Sequence, residues 1–192
     1  MSRHPVLDET ALNPAQQAVF DAIASGPRGT VVGPLRVWLQ SPGLATHAQA
    51  LGQYARYDSL LPENLSELAI LVTARYWSSG FEWAHHAPIA ARAGVPEAAI
   101  ADIAAARRPV FDDALMQAVF DMAAELHRDK RVSDATYAAA HALLGTAACV
   151  DLVGICGYYT LISMTINTFD VPDGPGPTLP ALDIDLARYF RP

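Results

Sequence analysis

The segment Glu67–His86 (ELAILVTARYWSSGFEWAHH) is strongly apolar, yet it holds Glu67, Arg75, Ser79, Glu82, His85 and His86. From Glu67 through Arg75, Ser79 and Glu82 to His86 the intervals are eight, four, three and four. Such spacings stack groups along one face of a helix, or of two helices broken at Ser78-Ser79-Gly80. Glu82 and His86 form an i, i+4 pair close enough to hydrogen-bond. A carboxylate beside an imidazole in an apolar pocket raises the imidazole pKa and orients its tautomer, while desolvation acts in the opposite sense. Enzymes use such a pair for proton transfer, which makes His86 and Glu82 candidate catalytic groups. The competing reading is a satisfied polar pair inside a helix bundle.

The neighbouring polar residues carry similar alternatives. Glu67 caps a helix, pairs with a basic residue, or joins the proton-transfer group. Arg75 forms a structural ion pair or holds a substrate carboxylate. Ser79 reads as a helix-break residue facing the pocket, and His85 points away from Glu82, toward solvent, an interface or substrate. Glu82 and His86 with His85 or another histidine would suit zinc or nickel, but there is no His-Glu-x-x-His, and Glu-x-x-x-His pairs arise often by chance. No metal, thiamine or pyridoxal motif is evident, so no cofactor is expected. His47, His127 and His141 have no identifiable partner and are assigned to the surface.

The elements that must position these groups read as helix after helix. Asn13-Pro14 is an N-cap followed by proline at the first helical position, and Gly26-Pro27 ends that helix. A Gly- and Pro-punctuated loop, 27–43, carries an apolar patch around Leu35, Val37, Trp38 and Leu39, and is expected to fold over a pocket or an interface, with Trp38 available to a substrate. Helices are predicted at about 44–57, 64–78, 81–94, 97–106, 112–128, 133–144 and 146–168, with a kink at Pro88. From Val171 onward the chain is Pro- and Gly-rich and excludes a regular element. Such a tail either lies along a neighbouring subunit or is disordered. No repeat or linker divides residues 1–192, which predicts one all-α domain, a helical bundle.

Composition agrees. The 192 residues include 35 alanines, which favour helix. Thirteen Lys and Arg against twenty Asp and Glu give a net charge of −7, which argues against nucleic acid or an acidic membrane as partner. The 17% of charged residues is low for so small a chain and suggests surface hidden in an oligomer. Residues 1–14 show no apolar targeting core, so a cytoplasmic location is expected. The apolar run Leu152–Ile166, about 15 residues, is shorter than the roughly 20 of a membrane span and reads as a buried core helix. Cys149 and Cys156 lie seven apart on it, a rise of about 10.5 Å, too far for a disulfide while the helix is intact.

The spacing also resembles the carboxymuconolactone decarboxylase and alkylhydroperoxidase D superfamily. The residues that carry the resemblance run from Glu67 through Ala74-Arg75 to Glu82-Trp83-Ala84-His85-His86, then Ala90 and Gly94, within a core motif of about 64–94. In the alkylhydroperoxidase branch a glutamate precedes a Cys-x-x-Cys, and a histidine follows it. Here those places hold Glu67, Ser79, Glu82 and His86. Both redox cysteines are absent, and the Glu-Trp-x-x-His form is similar to the decarboxylase-type branch. The resemblance implies an all-helical fold that assembles as a homo-oligomer, commonly a trimer or a hexamer built from trimers. It also implies a site at the motif helices, acting on a small-molecule substrate. On that reading the chain is a metal-free lyase for a small cyclic or aromatic-derived carboxylate. His86 then donates the proton, with Glu82 orienting it or acting as the acid itself and Glu67 as a third catalytic group, and Arg75, Ser79, His85 and Trp38 contact substrate. The alternatives are a thiol-dependent hydroperoxidase and a non-catalytic, ligand-binding oligomer.

Overall fold

The computed structural model describes Arg3 and residues 7–183. The Asn13 side chain accepts from the Gln16 amide at 2.9 Å, and the Gln16 side chain accepts from the Asn13 amide at 3.0 Å. These reciprocal bonds, with Pro14 at the first position, start α1 (Pro14–Ala24). The chain continues through α2 (Pro34–Trp38), α3 (Pro42–Gln53), α4 (Glu63–Tyr76), α5 (Gly80–Ala93), α6 (Glu97–Ala104), α7 (Ala114–Asp129) and α8 (Asp134–Phe169). Helix accounts for 70% of the structure, and there is no strand among the described residues.

Helix α4 is the axis of the bundle. Every residue from Leu65 to Tyr76 is buried, with α5, α7, α8 and α6 packed around it. A helix enclosed on all sides needs an apolar surface all round. Leu68, Ala69, Ile70, Leu71 and Val72 supply it, all with no exposed surface. Glu67, Thr73 and Arg75 are the polar exceptions, and each is buried.

Three departures from the sequence pattern bear on the site. The loop after α1 is partly helical, because Pro34 starts the short α2 and buries Leu35, Val37 and Trp38. The third helix widens into a π-helical turn at Tyr54–Asp58. Asp151 of α8 holds that turn, accepting from Tyr54 Oη at 2.9 Å and from the Leu60 amide at 2.8 Å. Over 171–183 the tail forms no regular element and lies against its own bundle. Leu179 packs against the core, and the Pro180 carbonyl accepts from Arg75 Nη1 at 2.7 Å. Residues 184–192 of that tail, and residues 1, 2 and 4–6 at the other end, lie outside the described residues.

Helix α8 spans 36 residues and is long and apolar enough to cross a membrane by length and composition. It is therefore longer than its apolar run suggested. Gly145, at φ 75° and ψ 171°, interrupts it at the predicted boundary between two helices. That conformation is essentially confined to glycine. One face carries the buried Leu152, Ile155, Tyr159 and Ile162; Val150, Val153 and Met164 are exposed.

Two glycines give a paired test of this packing. Gly33 has φ 55°, and a Cβ there would lie 2.2 Å from the Phe81 ring. Gly43, inside α3, would meet nothing within 4 Å. Gly33→Ala is expected to destabilise the chain by about 1–3 kcal/mol, lowering Tm by roughly 2–10 °C. Gly43→Ala is expected to leave Tm unchanged or raise it through a gain of up to about 1 kcal/mol in helix propensity. Thermal unfolding followed by circular dichroism checks both.

Candidate functional site

Glu67 lies one turn into α4, and Glu82 and His86 lie one turn apart on α5. The two helices pack against each other, joined by the tight break at Ser78-Ser79. Ser78 adopts φ 49°, and the Ser79 amide bonds back to the Ala74 carbonyl at 2.9 Å. This antiparallel return places His86 between two carboxylates. Its Nδ1 is 2.7 Å from Glu67 Oε2, and its Nε2 is 3.2 Å from Glu82 Oε2. The first contact is a hydrogen bond. The second is a charge contact outside hydrogen-bonding geometry, which leaves Glu82 Oε2 buried without a hydrogen bond. Glu67, Glu82 and His86 are all buried.

Burial works against charge on His86. The attraction and hydrogen bond of Glu67, together with Glu82, outweigh it and push the imidazole pKa up to about 9. At neutral pH the ring is thus an imidazolium, a proton donor held in fixed orientation. Tyr159 meets it edge-on, with ring centroids 5.1 Å apart, and Tyr158 meets Tyr159 in the same way at 5.2 Å. Burial, with the nearby carboxylates, drives the Tyr159 phenol well above its ordinary range and so keeps it neutral.

Glu82 and His86 open onto a cavity of about 70 Å³. Tyr158, Tyr159 and Ile162 of α8 form one wall; Val32, Pro34 and Leu35 form another, so the segment after α1 does fold over a pocket. Arg28 and Arg56 also line it. His85 stands exposed at the cavity, 4.9 Å from the His86 ring. Its partial burial, and then the charges of His86 and Arg56, lower its pKa, which favours the neutral ring. Among the described residues no three His, Cys, Asp or Glu side chains converge as a metal site requires.

Other residues singled out from the sequence lie elsewhere. Arg75 is not in this cavity. Its side chain points to the opposite end of α4, where Nη1 donates to the Ala104 and Pro180 carbonyls and Nη2 to Ser78 Oγ. A substrate bound beside His86 does not reach it. Ser79 caps α5 with its Oγ buried and without a hydrogen bond, and it does not line the cavity. Trp38 stands behind the wall: its Nε1 donates to Thr165 Oγ1 at 2.9 Å, and its ring meets Tyr158 edge-on at 6.1 Å. It positions Tyr158 and does not touch the cavity. His127 is buried rather than exposed, 2.9 Å from Thr73 Oγ1 and stacked on Tyr76. Cys149 and Cys156 are free thiols, both buried. Burial pushes Cys156 up to about 12 and raises Cys149 as well.

Arg28 and Arg56 were not legible as site residues. Neither lies in the motif, and one sits in a loop, so no periodicity ties them to His86. The adjacent tyrosines of the last helix read as core with a hydroxyl within reach of a cavity; both rings line it.

Residues 42–125 match the family model described as Carboxymuconolactone decarboxylase family. Compared with curated proteins, the chain matches none. The matched span contains Glu67, Glu82, His86 and Arg56, whereas Arg28, Tyr158 and Tyr159 fall outside it.

The buried charge arrangement has a measurable pH dependence. Because the folded-state pKa of His86 is raised, its ionic contacts stabilise the fold fully below the ordinary value of 6.5 and are lost as pH rises through about 9. Glu67→Gln retains an acceptor for Nδ1 but removes the charge. It is expected to lower the His86 pKa by about 1–3 units. A ¹H–¹⁵N NMR titration of the imidazole reads the shift directly, and an unchanged pKa contradicts the assignment.

Proposed function

We propose that the chain, whose residues 42–125 match the carboxymuconolactone decarboxylase family model, is a metal-free lyase that decarboxylates a small cyclic or aromatic-derived carboxylate, such as a carboxymuconolactone. The observation that carries this reading is His86, held as an imidazolium between Glu67 and Glu82 on the wall of a half-open cavity.

In such a reaction the bond between the carboxylate carbon and the ring breaks and carbon dioxide departs. The bonding electron pair moves into the conjugated lactone, placing negative charge on its carbonyl oxygen. That charge returns to carbon as a new C–H bond when a proton arrives. His86 supplies the proton, and the resulting neutral imidazole takes another from solvent through the cavity. Glu67 fixes the ring through Nδ1, which leaves Nε2 and the Glu82 carboxylate as the groups that face substrate. The apolar side chains of Leu35, Tyr159 and Ile162 keep water from the developing charge.

The thiol hydroperoxidase reading is not favoured. It needs a low-pKa thiolate beside a resolving thiol, whereas both cysteines are buried with raised pKa values. Neither lines the His86 cavity. We also infer self-association, supported by the exposed Val150, Val153 and Met164 on one face of α8. A mass in solution equal to one chain contradicts that part alone.

Turnover of 4-carboxymuconolactone, followed by release of carbon dioxide and appearance of the enol-lactone, tests the reaction. His86→Ala is expected to reduce the rate by about 10² to 10⁴. No turnover by the native chain rejects this substrate, and full activity in the variant rejects His86 as the donor.

A further inference from the structure

Two guanidinium groups in the cavity wall, Arg28 and Arg56, form no ion pair with a carboxylate among the described residues. Arg56 lies over the Tyr57 ring at 5.1 Å. Arg28 Nη2 donates to Tyr158 Oη at 3.2 Å, while its Nε is buried with no hydrogen-bond partner. The pair is tightly seated. A Cβ on Gly52 of α3 would lie 2.1 Å from Tyr158 Oη and 2.5 Å from Arg28 Nη2. Only a residue without a side chain lets both groups press on that backbone.

Charge points the same way. With His86 protonated, three cations (His86, Arg28 and Arg56) face two carboxylates, Glu67 and Glu82. One positive charge is left unmatched around the cavity of a chain whose net charge is −7. An unmatched charge in a partly enclosed cavity attracts an anion more strongly than the same charge in open water.

We propose that Arg28 and Tyr158, seated on Gly52 and backed by Arg56, form a carboxylate subsite that holds an anionic group the substrate keeps through the reaction. An arginine contact stabilises a carboxylate as an anion and opposes its loss as carbon dioxide. The group held here is therefore distinct from the one that departs. A carboxymuconolactone already carries two carboxylates, and on the proposed reading the subsite holds the one that this substrate keeps. This rests on the decarboxylase reading for the second carboxylate; the anion subsite itself does not.

The test separates the two. Benzoate and its neutral counterpart benzamide are titrated calorimetrically against the full chain. Benzoate is expected to bind at least about tenfold more tightly, and Arg28→Gln to remove most of that preference. Gly52→Ala, which displaces the pair but removes no charge, is expected to weaken benzoate too. Arg107→Gln, at an exposed pair with Asp102, is expected to leave it unchanged. Should Arg28→Gln fail to fold by circular dichroism, Arg56→Gln carries the same test. Absence of benzoate binding to the native chain, or a preference intact in folded arginine variants, overturns the subsite. Discrimination lost in Arg28→Gln without any turnover of 4-carboxymuconolactone keeps the subsite and rejects the lyase. Turnover with unaltered discrimination does the reverse.

Discussion

A carboxylate on a helix that is buried all round has to be met by positive charge, and Glu67 on α4 imposes that requirement on the rest of the molecule. Taking an ion out of water costs several kcal/mol unless a partner of good geometry replaces the lost hydration. His86 is that partner, and Glu67 first, then Glu82 at its other nitrogen, hold its charge against burial. The α4–α5 turn, the register of the two helices and the tyrosines of α8 that close over the ring serve the same arrangement. Apolar packing holds the central helix, and the site supplies the charge that its buried carboxylate requires.

The two buried charges of α4 are handled in opposite ways. Glu67 is matched by a side chain that opens onto a cavity, so its charge is communicated to whatever enters. Arg75, eight residues further along, bonds the Ala104 and Pro180 carbonyls and the Ser78 hydroxyl. Those neutral acceptors tie α4 to the end of α6, to the α4–α5 turn and to the tail. One charge lies beside a cavity and the other ties elements together, although both looked alike as polar interruptions of an apolar run.

This difference marks the limit of what the sequence made legible. Helix positions followed from caps and breakers, as at Asn13-Pro14, Gly94 and Gly145, because those signals act over a few residues. The Glu82–His86 pair followed from helical spacing alone. The partnership of Glu67 with His86, nineteen residues apart, needed the family spacing. Arg28 and Arg56 reach the cavity through a loop and a π-helical turn whose shape depends on Asp151, nearly a hundred residues away. No local pattern encodes such placement. Arg75 was hard to place for the complementary reason: two of its acceptors are backbone carbonyls, which have no signature in a list of residue types.

The strap at residues 171–183 bears on the order in which the chain matures. A ribosome releases Arg75 long before it has made Pro180, whose carbonyl is one of the guanidinium's acceptors. The helices from α3 to α7 can gather around α4 as they emerge. The far end of α4 nevertheless keeps one hydrogen bond pending until residue 180 has been made. Closure of the bundle at that end is thereby coupled to synthesis of the strap, and a nascent chain that stalls after α8 carries its central helix with that contact still unmade.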